Sequence, residues 1–358
     1  VAPEPILFAS LAAAGMPFLF LVGAAPNAIA YNSGQFTTAR FFLAGVPAIV
    51  KPATASAYVT EAAVRMIVES GILPEGALQF VAGSTGDLLD LLGGQDVVSF
   101  TGSAATGTML RATPNILQNA VRFTAEQDSL NATILGPDVA PGSPAFDVFV
   151  KEVHREMTVK AGQKCTAIRR IIAPGNTVEA VIEAVSARLA KTTIGDPRLE
   201  TTRMGALVSA DQKRDVLDKA ATIATEAERV WGDPDRLELN GEAAPDAFLA
   251  PMLFHCAEPD AATKVHETEA FGPVSTILPY RDLTHAIQLA NRGGGSLVEA
   301  MPCTAPSLAL AKASPPYRLT RAMSWRASRL APSIQAARRL REARTSPSSC
   351  RWLRASLA

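Results

Sequence analysis

Hydrophobic positions in the middle of the chain follow two alternating patterns. Short apolar runs predict strands at 43–51, 77–81, 97–100, 120–124, 132–135, 167–173, 249–254 and 274–278. Apolar residues three or four positions apart predict helices at 54–69, 86–92, 146–157, 178–191, 209–229 and 285–290, and a further helix after Gly107. This alternation indicates βαβ units with a mostly parallel sheet, an α/β fold in which 97–100 is expected to be a buried strand.

The two ends of the chain depart from this pattern. Residues 5–30 are apolar and uncharged, but Pro17 interrupts them and no basic flank precedes them. We therefore predict neither a membrane helix nor a signal peptide there. Residues 297–358 carry ten Arg and one Lys against two Glu, although the whole chain has 34 basic and 34 acidic residues.

The composition is that of an α/β protein whose 358 residues are enough for two domains. Its four cysteines, Cys165, Cys256, Cys303 and Cys350, form no C-x-x-C pair, and its four histidines are scattered. We therefore predict free thiols in a reducing compartment, the cytoplasm, and no metal site.

Cys165 lies between a periodic helix and an apolar strand, in the run MTVKAGQKCTAIRR at 157–170. A structural cysteine would normally lie inside the apolar run. Gly162 and small polar neighbours keep the approach to the thiol open, and Lys160 and Lys164 are expected to favour the thiolate. A boundary cysteine is more often inert than catalytic, so the remaining motifs decide whether Cys165 is a nucleophile.

Two segments are candidates for binding phosphate or ribose. Gly102 and Ser103 join a strand to a helix in the run FTGSAATG. The backbone N–H groups at such a junction can bind a pyrophosphate. An ordinary capped helix start would have the same sequence pattern. The pattern is not G-x-G-x-x-G. Lys51 follows the first strand at the end where open α/β sheets bind ligands, and it is either a ribose ligand or a solvated lysine.

Two carboxylates complete the set of candidates. Glu126 follows the strand 120–124 and could activate water, with Asp128 as a nearby competitor. Glu269 begins the run EAFGP, where it could accept both hydroxyls of a ribose while Phe271 packs on a flat ring. Taken singly, these residues also fit an ordinary strand end and an ordinary turn.

Taken in order, the motifs resemble the aldehyde dehydrogenase superfamily over roughly 43–296. The order is K-P-A, F-T-G-S-x-x-x-G, the Glu, G-Q-K-C-T and E-x-F-G-P-V. The segments EQDSLN and REMTVKAGQKCTAIRR, with Gly-Gly-Gly at 293–295, are most similar to the aldehyde dehydrogenase domain of the bifunctional phenylacetate ring-cleavage enzymes. Their hydratase domain has no counterpart here. The dehydroadipyl-CoA semialdehyde dehydrogenases of benzoate-CoA breakdown are the second resemblance.

The resemblance implies a Rossmann-type cofactor domain at 43–130 and an α/β catalytic domain at 131–296, both shortened. Atypical segments at 1–42 and 297–358 flank them. Cys165 would attack a small aldehyde, which the resemblance implies is CoA-linked, and hydride transfer to the nicotinamide would leave a thioester. Glu126 would activate the water that hydrolyses this thioester to the acid.

The resemblance also implies how the cofactor would be held. Gly102 and Ser103 would face the pyrophosphate, Lys51 the adenosine ribose, and Glu269 the nicotinamide ribose with Phe271 beside it. Thr54 stands where NAD-preferring members often carry a Glu that would repel a 2′-phosphate. The expected cofactor is therefore NADP, with NAD as the alternative, and the family forms homo-oligomers.

The chain departs from the family at both ends. No Phe-Pro follows Asn27, so the oxyanion-hole role of the family's N-F-P asparagine is not assigned to it. We expect that both ends are read out of frame around a genuine core, which makes an inactive fragment the main alternative. A cysteine acyl-transferring enzyme, and a basic arm at 318–354 that binds nucleic acid, are the other hypotheses. The leading prediction includes neither a nucleic-acid nor a membrane partner.

Overall fold

The computed structural model describes residues 47–293 and the strand Glu299–Ala300. The predictions on the N-terminal apolar segment, on Asn27 and on the Arg-rich tail lie outside these residues. Within the described part, no helix is long and apolar enough to cross a membrane.

A six-stranded sheet forms the centre of the larger part of the chain. Its strands run in the order β10-β5-β6-β9-β8-β7, and all neighbours are parallel except β7 and β8. The strands are β5 (Ala132–Ile134), β6 (Arg170–Pro174), β7 (Glu228–Trp231), β8 (Met252–His255), β9 (Val274–Tyr280) and β10 (Glu299–Ala300).

Residues before this sheet form two separate pairs of parallel strands. β1 pairs with β2, and β3 pairs with β4. The strands are β1 (Ala48–Val50), β2 (Leu78–Phe80), β3 (Val97–Thr101) and β4 (Arg122–Glu126).

Eight α-helices connect the strands of the described part, together with short 3-10 turns such as Thr54–Ser56 and Leu88–Leu91. The helices are α1 (Ala57–Glu69), α2 (Ala104–Arg111), α3 (Pro114–Gln118), α4 (Pro144–Thr158), α5 (Val178–Leu189), α6 (Ala210–Ile223), α7 (Lys264–Glu267) and α8 (Leu283–Asn291). The α/β fold with mostly parallel strands is therefore confirmed.

The large sheet is buried on both faces. Side chains alternate along a strand, so Ile171 packs with α4 and α5 while Ile172 packs with α6 and α8. The sequence of α4 shows why it packs in this way. The Ser143 hydroxyl caps the helix by accepting a hydrogen bond from the Phe146 N–H, and apolar residues at helical spacing then form one buried face.

Strand β3 is not the buried strand that its apolar run predicted. Its side chains alternate between exposed and half-buried, and Val97 is 57% exposed. Among the described residues β3 pairs only with β4, so it lacks the second neighbour and the covering layers that bury a central parallel strand. A short run of mostly apolar residues does not by itself determine burial.

The helix predicted at 209–229 is too long. α6 ends at Ile223, and Glu228–Trp231 forms the edge strand β7 instead. The reason lies in Glu226, whose carboxylate accepts hydrogen bonds from the backbone N–H groups of Thr263 and Val265 at the start of α7. This contact holds the chain in a turn between α6 and β7.

The Tyr280 hydroxyl should contribute measurably to the stability of this sheet. It is buried and donates a hydrogen bond to the Leu135 carbonyl at 2.8 Å. We expect Tyr280→Phe to lower the free energy of unfolding by about 1–2 kcal/mol, because the carbonyl loses its partner. Tyr58→Phe, at a tyrosine that is 76% exposed, is the matched control and should leave it unchanged. Urea denaturation of the three proteins tests this, and equal stabilities would contradict it.

Candidate active site

Cys165 lies on a tightly turned segment between α4 and β6, and its side chain reaches solvent. Three consecutive residues before it, Lys160, Ala161 and Gly162, have positive φ angles of 56°, 51° and 69°. Only Gly162 adopts such an angle without steric cost. A side chain at Gly162 would also collide with the Gly272 carbonyl, since a Cβ there would lie 2.2 Å from that oxygen. Glycine is therefore required where these two loops meet.

Asn131 holds the other side of the cysteine. Its side-chain amide donates to the carbonyls of Cys165 at 2.8 Å and of Ala167 at 2.9 Å. Its amide oxygen accepts from the Ser129 hydroxyl at 2.8 Å. Because all of these groups are buried or half-buried, they fix the backbone of the cysteine relative to the start of β5.

The Arg169 guanidinium is buried and joins three segments. It donates to the Glu269 carboxylate at 3.2 Å, to the Gly272 carbonyl at 2.7 Å and to the Gly162 carbonyl at 2.9 Å. Burial lowers the pKa of Arg169, and the charge of Glu269 opposes that shift. Its central carbon lies 5.5 Å from the centre of the Phe271 ring, at cation–π distance.

Glu269 already has protein donors on both carboxylate oxygens. One oxygen accepts from the Ser129 backbone N–H at 2.9 Å, and the other accepts from Arg169. Its side chain is 5% exposed. Burial raises the pKa of Glu269, while Arg169 and the Ser129 N–H partly offset that rise.

Glu126 faces the thiol from the carboxyl end of β4. Its charge and a side-chain hydrogen bond both act on the ionisation of Cys165. Partial burial is the largest cause that raises the pKa of the Cys165 thiol, followed by Glu126, while Glu269 adds a smaller contribution. The two residues predicted to be catalytic are thus adjacent in space, although 39 positions apart in sequence.

The expectation that neighbouring lysines favour the thiolate is wrong. Lys164 forms an ion pair at 2.6 Å with Glu156, a residue of α4 whose side chain is buried. Its charge is therefore balanced by that carboxylate. The thiol is instead partly buried and faces carboxylates, so its pKa is raised and not lowered.

The four residues predicted to hold the pyrophosphate and the adenosine ribose of a dinucleotide lie just after the carboxyl ends of β1 and β3. Lys51 is half-buried and donates to its neighbour's carbonyl at 3.1 Å, and Thr54 is exposed. Gly102 and Ser103 are exposed before α2, where the Ser103 hydroxyl accepts from the Thr106 N–H at 3.2 Å.

These positions lie where strand carboxyl ends and a helix start can bind one end of a dinucleotide, but the Gly102 N–H already donates to the Glu126 carbonyl at 3.1 Å and the Thr106 N–H to Ser103. Two further observations limit the fit. Asp128 accepts from the Ala104 N–H at 3.2 Å, and thus places a carboxylate at the start of α2. The Glu269 side chain is 5% exposed and already has protein donors on both oxygens, which limits its access to a ribose hydroxyl. Within the described residues, no group of three or more potential ligands could hold a metal ion.

The model of the aldehyde dehydrogenase family matches residues 31–301. The chain belongs to this family. The 3,4-dehydroadipyl-CoA semialdehyde dehydrogenase of Aromatoleum evansii is 49% identical over 260 residues, which cover 72% of this chain and 50% of that protein. Protein MaoC of Klebsiella aerogenes is 42% identical over 107 residues, which cover 30% of each chain. The chain spans about half the length, or less, of these curated relatives.

Solved structures show the same fold. Succinic semialdehyde dehydrogenase from Streptococcus pyogenes, whose structure contains NADP+, superposes with a TM-score of 0.64 at 23% identity. The match covers 75% of this chain and 56% of that protein. The resemblance to aldehyde dehydrogenases that the ordered motifs indicated is confirmed, and so is the fold that it implied.

Sequence reasoning missed three groups that shape the site: Arg169, Asn131 and the Glu156–Lys164 pair. One signal pointed to Arg169. Two adjacent arginines stand at the start of an apolar strand, and a charge at a buried position requires a partner. Nothing in the sequence identified Glu156, because its position in the predicted helix is one at which an ordinary exposed polar residue would be expected.

The raised pKa of Cys165 gives a testable prediction on reactivity. Only the thiolate is alkylated, so the rate should reach half its maximum at a higher pH than for an ordinary thiol. Glu126→Gln removes the nearest negative charge, which lowers the thiol pKa and moves the profile to lower pH. The rates would be measured with iodoacetamide, with the modified peptide identified by mass spectrometry. Glu179→Gln, on the exposed surface of α5, is the control, and identical profiles for all three proteins would contradict the assignment.

Proposed function

We propose that this protein oxidises a CoA-linked semialdehyde to the carboxylic acid with NAD(P)+, through a covalent thioester on Cys165. The observation that carries the proposal is the contact between Cys165 and Glu126 in a chain of the aldehyde dehydrogenase family. Cysteine is the nucleophile that this chemistry requires, and a carboxylate beside it can take up a proton.

The first step is attack of the Cys165 sulfur on the aldehyde carbon. The thiol gives its proton to Glu126, which has the required position, and Glu126 passes it to the carbonyl oxygen, which becomes the hydroxyl of a thiohemiacetal. The cofactor, when bound, would accept the hydride from the former aldehyde carbon while the hydroxyl proton is released to solvent, which leaves a thioester. Arg169 and Asn131 keep the backbone of the cysteine in place during these steps.

The second step is hydrolysis of the thioester. Glu126 takes a proton from water, the water oxygen attacks the acyl carbon, and the Cys165 thiol is released with the acid. A carboxylate that takes a proton from the thiol in the first step and from water in the second must lie beside the sulfur in both steps. The half-buried position of Glu126 at the end of β4 supports this double use.

The cofactor residues follow from the same proposal. Gly102 and Ser103 would hold the pyrophosphate, and Lys51 and Thr54 the adenosine ribose, since all four lie at strand carboxyl ends. Glu269, with Phe271, would receive the nicotinamide ribose after giving up a protein donor. The absence of an acidic side chain at Thr54 supports NADP over NAD.

The substrate class rests on the curated relatives. The 49% identical relative is named for 3,4-dehydroadipyl-CoA semialdehyde, which supports an aldehyde linked to CoA. The sequence motifs most resemble the bifunctional phenylacetate ring-cleavage enzymes, and the similarity to protein MaoC fits that resemblance, so a CoA-linked semialdehyde of phenylacetate breakdown is also a candidate substrate. We further propose a cytoplasmic homo-oligomer.

Turnover of 3,4-dehydroadipyl-CoA semialdehyde tests the proposal. We expect NADPH formation at 340 nm by the wild type, and a loss on the order of 10³-fold or more with Cys165→Ser. Glu126→Gln should lower kcat by about 10²–10⁴-fold. The NADPH that it forms should stop at one equivalent per site, because the thioester is not hydrolysed even where the thiol attacks without its base. Cys256→Ser, at a buried cysteine remote from these residues, is the control.

A folded wild type that releases no NADPH would favour the inactive fragment. Thioester exchange without any cofactor would favour the acyl-transferring alternative. Equal activity of the wild type and Cys165→Ser would exclude Cys165 as the nucleophile.

Cofactor preference gives a separate prediction. We expect Thr54→Glu to raise the KM for NADP about tenfold, which corresponds to about 1.4 kcal/mol, through repulsion of the 2′-phosphate. The KM for NAD should change little. Gln79→Glu adds the same charge at an exposed position on β2 and should affect neither cofactor. Parallel losses for NAD and NADP would show that Thr54 does not face the 2′ position.

A further inference from the structure

We propose that Arg169 is a positioning residue for Cys165, and that its guanidinium holds the loop of the nucleophile in the conformation that presents the thiol. This inference rests on the proposed function for its effect on turnover. The geometry that supports it does not depend on the substrate.

The guanidinium spans two loops with separate nitrogens. Nη2 donates to the Gly162 carbonyl at 2.9 Å and approaches the Lys164 carbonyl at 3.5 Å. Nη1 donates to the Gly272 carbonyl at 2.7 Å. Lys164 immediately precedes the nucleophile, so a movement of the guanidinium would be transmitted to the sulfur through a single residue.

The loop needs such a support. Lys160 and Ala161 carry side chains, yet both have left-handed backbone angles, and such residues persist only where the surroundings hold them. Two hydrogen bonds that support the loop come from within the turn itself: the Gln163 side chain and the Gln163 backbone N–H both donate to the Lys160 carbonyl. Arg169 supplies contacts from outside the turn and ties it to the loop before β9.

Glu269 and Phe271 fix the guanidinium in turn. The Glu269 carboxylate accepts from Nε, and the Phe271 ring lies at cation–π distance. An arginine fork can serve these partners together, whereas a lysine offers one compact charge that can balance Glu269 but cannot span both carbonyls. The two substitutions therefore separate the charge of Arg169 from its geometry.

Arg170 is a matched control for the burial of an arginine. It is fully buried and adjacent in sequence, but it donates to the carbonyls of Leu130, Leu289 and Ala290, towards the end of α8. Removing Arg170 perturbs the fold beside the same strand, and none of these three carbonyls belongs to the nucleophile loop.

The experiment measures alkylation of Cys165 by iodoacetamide against pH, without substrate or cofactor. The charged groups around the thiol are Glu126 from β4, Glu269 from the loop before β9, Arg169, and the Lys164–Glu156 pair. We expect Arg169→Gln to move the profile to higher pH, since Glu269 is then unbalanced and disfavours the thiolate. Arg169→Lys should restore the midpoint. Arg170→Gln should keep the wild-type profile, with folding of every variant checked by circular dichroism.

The geometric part is read from Arg169→Lys. At high pH, where every Cys165 is ionised, its alkylation rate should fall below that of the wild type, because the released loop no longer presents the sulfur in one fixed conformation. Its kcat for the CoA-linked semialdehyde should also fall about 100-fold with little change in KM, as expected for a misplaced nucleophile. Arg170→Lys should change neither quantity.

Each outcome decides the inference. An unchanged profile in Arg169→Gln, or an equal shift in Arg170→Gln, overturns it, and so does a wild-type plateau rate in Arg169→Lys. If Arg169→Gln does not fold, Arg169→Lys alone decides through its plateau rate. A wild type without turnover defeats the proposed function only, because alkylation still tests the positioning role.

Discussion

The candidate site depends on the parallel register of three adjacent strands. β5, β6 and β9 are neighbours in the sheet, with Ala132 opposite Arg170 and Arg170 opposite Thr276. Parallel strands in register begin at the same edge, so the segments that enter them meet there. Those segments contain Asn131, the Cys165 loop with Arg169, and the Glu269–Pro273 loop. Hydrogen bonds between the loops are a consequence of this shared edge.

The short link between the two parts of the chain explains why Glu126 reaches the thiol. β4 ends at Glu126 and β5 begins at Ala132, so only residues 127–131 separate the carboxyl end of one strand from the amino end of the other. Two of these residues form hydrogen bonds with different parts of the structure. Asp128 accepts from the start of α2, while Asn131 donates to the Cys165 carbonyl. The link therefore holds the start of α2 against the loop of Cys165.

Periodicity predicted most strands and helices because their side chains face a packed core. It failed for Val97–Thr101, whose burial depends on neighbouring strands, and beyond Ile223, where the distant contacts of Glu226 end the helix. Cys165 and Glu126 could be named from the order of the motifs. Their contact could not, since it requires the register of β5 with β6. The direction of the thiol pKa was also out of reach, because it depends mainly on partial burial of the thiol and on the position of Glu126.

The electrostatics of the site suit a nucleophile that is unreactive until its substrate binds. A raised pKa keeps the Cys165 thiol protonated near neutral pH, which slows its reaction with adventitious oxidants and electrophiles. Under the proposed function, Glu126 both disfavours the free thiolate by its charge and provides an acceptor for the proton. Proton transfer can then accompany attack on a bound aldehyde. The carboxylate that, together with burial, raises the thiol pKa would thus be the group that accepts the proton once a carbonyl is present.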